Sequence, residues 1–259
     1  STGDRKAKTI TAYNFKGTAL LTPKGVGGDG RLDGPQSFIK SPEFTFKSES
    51  YSGKKATLSI KSAEANKPAL TAPDVTFNYE LKKGYADFKR EEGIKSSIDL
   101  PYSKFRTTLS GGHWDFKKKQ VQLRMAAQAD STKSYFYATA PEQQGLRFRA
   151  SSGTYDLAKY RMQVGGVPYI AAADAWIIPD SGRVNILSNG RIQRFKNAGV
   201  ILDSLSKFHR LTKGNVEVLS KVAFTGNAKY VIKTARDSVA LRFTNFEPDP
   251  AFLLASSDK

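Results

Sequence analysis

The chain has 259 residues with 41 Lys and Arg against 24 Asp and Glu, a net charge of +17, two His and no Cys. The lack of Cys excludes a disulfide framework, a thiolate metal site and a cysteine nucleophile, and His113 and His209 are too far apart in sequence to supply an HxxxH zinc pair. No apolar run approaches the roughly 18 residues a membrane-spanning helix requires, and the charge is spread, +10 over residues 1–141 and +7 over 142–259, so no polybasic arm is expected.

Along the chain, Gly25-Val26-Gly27-Gly28-Asp29-Gly30 matches GxGxxG, but Arg31-Leu32-Asp33-Gly34-Pro35 cannot open the helix a nucleotide site needs. An EF-hand reading also fails, because Lys40 stands where the bidentate Glu would be. These glycines are expected to serve tight turns. Alternation of apolar and polar residues then predicts strands over Phe44–Phe46, Ala56–Ile60 and Val121–Met125. Ser52-Gly53, Asn189-Gly190 and Thr225-Gly226 read as turns, and Pro179–Gly182 as a tight turn pairing Ala175–Ile178 with Arg183–Leu187. Asp203–Thr212 holds at most one helical turn.

Three ten-residue stretches resemble one another: Tyr79–Phe88, Trp114–Leu123 and Tyr155–Val164. In each, an aromatic, an acid and an apolar residue lead into a basic bend and a second alternating strand, the pattern of a hairpin with one apolar face. Their starts lie 35 and 41 residues apart, a spacing suited to stacked β units. Tyr79, Trp114 and Tyr155 are therefore expected at equivalent inward positions. Ala138–Gly145 is polar and breaker-rich, and predicts a loop or hinge. The expected fold is all-β with little helix: extended antiparallel sheets of hairpin repeats, as a jellyroll, folded-over sheet or sandwich. Residues 1–141 and 142–259 form two antiparallel subdomains, either separate or continuous.

Tyr155–Val167, ending in Gly165-Gly166-Val167, resembles the building block of the OstA-like lipopolysaccharide-transport family of Gram-negative envelopes. A longer stretch, from Gly166–Ile170 through Ala173-Asp174-Ala175, Asn197-Ala198 and Lys207-Phe208-His209 to Thr225-Gly226, is similar to long repetitive envelope proteins of such bacteria. The first resemblance implies a jellyroll or folded-over sheet, stacked end to end into a periplasmic bridge with an apolar groove for acyl chains. In such a groove the inward residues would be Phe148, Tyr155, Leu157, Met162, Val164, Ile170 and Ile177.

Basic residues also alternate with aromatics, which lets cations meet acidic groups while rings stack on sugars or bases. The candidate polyanion contacts are Lys117, Lys118, Lys119, Arg147, Arg149, Arg191, Arg194 and Lys196. In a half-buried strand the same alternation places Phe148 inside and Arg147 and Arg149 outside. Catalysis has little material: Asp174, Asp180 and Asp203 lie in strand-turn regions that could converge in a paired-acid scheme, but Asp at turns is ordinary punctuation. His113 is expected as a surface or half-buried strand residue. No catalytic residue, metal or cofactor is expected. The sequence reads as a segment of something longer, a non-catalytic structural or binding module of a larger extracytoplasmic envelope protein, in the periplasm or on the cell surface of a Gram-negative bacterium. A lipid-carrying bridge and a binder of acidic polysaccharide or another polyanion are the alternatives. Partners would be the remainder of that protein and lipopolysaccharide or acidic polysaccharide, rather than nucleic acid.

Overall fold

The computed structural model describes residues 13–23, 25–91, 96–125, 134–202, 209–233 and 236–248. These form an all-β fold in which every pairing is antiparallel, with short 3-10 turns at Pro141–Gln143 and Asp180–Gly182. Among them no helix is long and apolar enough to cross a membrane.

The first five strands, β1 (Asn14–Thr22), β2 (Gly25–Asp33), β3 (Ser37–Phe46), β4 (Ser50–Ile60) and β5 (Leu70–Glu80), pair in chain order as a meander. At β5 the sheet divides. Val75–Glu80 pairs with β6 (Tyr85–Arg90), whereas Thr71 pairs with Asp99 of β7 (Ile98–Leu100). From there successive hairpins alternate between two layers. The first layer takes β6, β9 (Gly111–Asp115), β10 (Gln120–Arg124), β13 (Ser152–Asp156), β14 (Arg161–Gly165) and β17 (Val184–Ile186). The second takes β7, β8 (Phe105–Thr107), β11 (Tyr135–Ala138), β12 (Arg147–Arg149), β15 (Ile170–Ala172), β16 (Ala175–Ile178) and β18 (Phe195–Leu202).

The layers meet again at the far end. Gln193 and Ile192 run beside β17 in the first layer, through the Gln193 N–H to the Asn185 carbonyl and an Ile186–Ile192 bridge, and the chain then enters β18 in the second. The two ladders thus form a closed, flattened ring around one continuous apolar core. A second meander, β19 (His209–Ser220), β20 (Ala223–Lys233) and β21 (Ser238–Phe246), extends from β18. The long strands at each end bend from one layer to the other at β-bulges: register shifts fall at Gly53/Ala56 between β4 and β5, and at Thr212/Asn215 between β19 and β20. Lys55, Asp74, Asn197 and Lys213 sit near these bends with positive φ, the local kink that a bulge allows.

The sequence repeat has a direct structural meaning. Tyr79, Trp114 and Tyr155 are the last residues but one of corresponding strands, β5, β9 and β13, and fall on one cross-strand row: Tyr79 faces Ala86, then Trp114, Val121, Tyr155, Met162 and Ile186. All three aromatics are buried, as expected of equivalent positions. Each repeat adds one hairpin to each layer, so about 40 residues separate like strands. The first-layer bends are four-residue turns, 81–84, 116–119 and 157–160, whose last residues Gly84, Lys119 and Tyr160 adopt the left-handed conformation. The acid after the aromatic caps the bend in two of them: Asp115 accepts the Lys118 N–H at 2.9 Å, and Asp156 accepts those of Ala158 and Lys159.

Two local expectations differ, and a third falls largely outside the described residues. Pro179–Gly182 does not close a hairpin, because β16 pairs with β15 and β18 while β17 pairs with β14; the turn carries the chain across from the second layer to the first. Ser52-Gly53, Thr225-Gly226 and the Gly25–Gly30 run lie inside strands, where glycine permits close approach of backbones: a Cβ on Gly28 would meet the Thr18 carbonyl oxygen at 2.2 Å. Of Asp203–Thr212, residues 203–208 lie outside the described residues and the rest is strand β19. Ladders β10–β13 and β11–β12 pair strands from either side of the Ala138–Gly145 loop, so 1–141 and 142–259 share one sheet system and one core.

Candidate functional site

The outer face of the second layer concentrates arginine and aromatic side chains. Because Phe105, Phe136 and Phe148 point into the core, their strand neighbours Arg106, Tyr135, Tyr137, Arg147 and Arg149 must point out. Register then brings these together: Asp99 faces Arg106, Arg106 faces Tyr137, Tyr137 faces Arg147, and Tyr135 faces Arg149. The guanidinium groups lie over rings: Arg106 is 5.8 Å from the Tyr137 centroid, Arg147 is 5.9 Å from Tyr135, and Arg149 is 5.7 Å from Tyr169. Tyr169 stacks in turn on Trp176 at 4.3 Å, with the rings 12° from parallel.

None of the three arginines has a carboxylate within ion-pairing distance among the described residues. Asp99 is the nearest acid in register, and burial raises its carboxyl while Arg106 works against that shift. The strip therefore carries three arginines stacked on rings, none in an ion pair among the described residues, and four half-buried rings. Chemically it can hold carboxylate or phosphate groups on the guanidinium N–H groups and sugar or base faces on the rings.

The other candidate cations lie elsewhere. Lys117, Lys118 and Lys119 occupy the exposed β9–β10 bend, where Lys118 pairs with Asp115 at 3.4 Å. Arg191 and Arg194 both bind Glu217, the latter at 3.0 Å, so their charge is partly spent within the fold; Lys196 is exposed on β18. Of the eight, the structure brings Arg147 and Arg149 into the strip. Arg106, Tyr135, Tyr137, Tyr169 and Trp176 complete it and were missed, although the alternation around Phe136 and Phe148 carried the signal.

The hydrogen bond from Arg191, and then that from Arg194, holds the partly buried Glu217 carboxyl below its ordinary range. A carboxyl depressed in the folded state adds stability above its ordinary pKa and loses it as pH falls through the folded value. Glu217→Gln is expected to cost about 1 kcal/mol at neutral pH and to flatten that share of the acid limb, checked by denaturant melts across the acid range. An unchanged acid limb would remove this pair from the pH dependence.

Phe148, Tyr155, Met162, Val164, Ile170 and Ile177 are all at most 3% exposed, and Leu157 is half-buried against the same core. They come from both layers and interdigitate: a Cβ built on Gly153 of the first layer would lie 3.2 Å from the Phe136 ring of the second. The layers are also tied at a margin, where Tyr102 stacks on Tyr160 at 4.0 Å and the Ser103 hydroxyl donates to the Tyr160 carbonyl. Asp174 and Asp180 sit at opposite ends of β16, so they do not form a carboxylate pair, and Asp203 lies outside the described residues. His209 is exposed beside Tyr230, and His113 faces outward on β9. Compared with known proteins, the chain matches no family model, no curated protein and no solved structure.

Proposed function

We propose that the chain is a non-catalytic structural or binding module of a larger extracytoplasmic envelope protein of a Gram-negative bacterium, and that its outer arginine–aromatic strip holds the acidic groups of lipopolysaccharide or of an acidic polysaccharide. The observation that carries the reading is the strip itself: three arginines stacked on tyrosines without a neutralising carboxylate among the described residues. The resemblance of Tyr155–Val167 to the OstA-like building block supports the envelope setting.

The module part of the reading is supported by the two ends. Strand β1 is exposed along nearly its whole length, with Leu20 at 62% and Leu21 at 81%, and β21 exposes Val239, Leu241 and Phe243. Among the described residues β1 pairs only with β2 and β21 only with β20, and an edge strand with exposed apolar side chains offers itself for pairing with a further strand. A lipid-carrying role would require the two filled layers to part, so the polysaccharide reading is preferred.

The test is binding of lipopolysaccharide at low ionic strength by the native chain and by R106A/R147A/R149A. The native chain should bind and the variant should lose at least about tenfold in affinity, with its melting temperature unchanged because all three side chains point outward. No binding by the native chain, or equal binding by the variant, would sink the proposal.

A further inference from the structure

The outer face of the first layer carries a different surface. Its central row runs from Asn78 through Asp87, His113, Gln122, Thr154 and Gln163 to Asn185, one residue per strand across seven paired strands, or about 29 Å at the usual strand spacing. Solvent-facing rows are normally polar, but in a chain with 25% charged residues this one holds no Lys, Arg or Glu. Amide, imidazole and hydroxyl groups both donate and accept, as sugar hydroxyls do.

Beside the row lies a depression of about 560 Å³ over the β9 backbone, where Gly111 has no side chain to cover the outer face; at Gly112 the Phe88 ring takes the place of a side chain from the core side. Register places Lys89 on one side of Gly111 and Arg124 on the other. Neither is ion-paired among the described residues; Arg124 donates to the Gln122 amide oxygen at 2.7 Å. His113 Nδ1 lies 2.7 Å from Asp87 Oδ1, which fixes the imidazole at the rim, and Ser110 lines the same depression with a buried hydroxyl that has no hydrogen-bond partner among the described residues.

We infer that this trough is a second binding site, independent of the arginine–tyrosine strip, for a polysaccharide bearing carboxylate groups: a uronate would sit over Gly111 between Lys89 and Arg124, with its hydroxyls on His113, Gln122 and the row beyond. The charge and the hydroxyl-matching groups are separately removable, which makes the site testable.

The experiment measures binding of polygalacturonate, with neutral dextran and polyphosphate as comparison polymers, in the R106A/R147A/R149A background so that the strip cannot contribute. That background should bind polygalacturonate and bind dextran at least tenfold more weakly. Adding K89A/R124A should remove at least tenfold of the polygalacturonate affinity. Adding H113A/Q122A should weaken polygalacturonate several-fold and leave polyphosphate unchanged. Thermal melts identify any variant that fails to fold, in which case the single changes K89A and R124A are used. Loss of all polygalacturonate binding in the triple background, or equal binding after K89A/R124A, overturns the site. Failure of the strip shows instead as lipopolysaccharide binding that R106A/R147A/R149A leaves intact.

Discussion

Trp114→Ala is expected to lower the unfolding free energy by about 3–5 kcal/mol, the range for deleting a buried large aromatic. Trp114 is 2% exposed and lies at the middle of the first layer's inner row, between Ala86 and Val121 on the flanking strands. Its ring meets Tyr79 edge-on at 5.8 Å and Phe116 at 4.7 Å, contacts that add to simple area burial. The small neighbour Ala86 cannot close the space, so a cavity remains. The adjacent outward change His113→Ala should cost under about 1 kcal/mol, because it removes a half-exposed side chain and no core volume. Chemical denaturation followed by fluorescence and circular dichroism measures both. A Trp114→Ala cost below about 1 kcal/mol would mean that the inner row is not packed as described.

The same row explains what could be read from the sequence. Alternation around Phe44, Leu58, Val121 and Phe148 has period two, and the inward set follows from that period alone. The likeness of Tyr79, Trp114 and Tyr155 was legible because one physical position, an inward aromatic before a basic bend, recurs at every second hairpin. The alternation of hairpins between layers was not legible. Nothing local distinguishes Pro179–Gly182, which crosses between layers, from a turn that closes a hairpin; the difference lies in which distant strand β17 meets, namely β14. Glycines misled for a related reason. Gly28 and Gly53 serve close packing within strands, and that need is visible only once Thr18, Ser41 and Phe77 are beside them. The binding strip was half legible: alternation pointed Arg147 and Arg149 outward, but joining them to Arg106, Tyr169 and Trp176 required four strand pairings.

Replacing Arg106, Arg147 and Arg149 together by lysine is expected to weaken lipopolysaccharide binding about tenfold or more while leaving its salt dependence nearly unchanged. The salt slope counts the cations that displace counterions from the polymer, and lysine keeps all three. What lysine loses is geometry. Each guanidinium already rests on a ring in the free protein, 5.7–5.9 Å from the centroid, so little side-chain freedom remains to be lost on binding. A lysine there is mobile, and immobilising it costs about 0.5–1.5 kcal/mol per side chain; it also presents a point charge where arginine offers a planar two-pronged donor. Glutamine at the same three positions should instead lower both the affinity and the slope. Dissociation constants at three salt concentrations separate the outcomes. Equal binding by the lysine variant would reduce the strip to a patch of charge, with the stacked tyrosines and Trp176 left as surface packing.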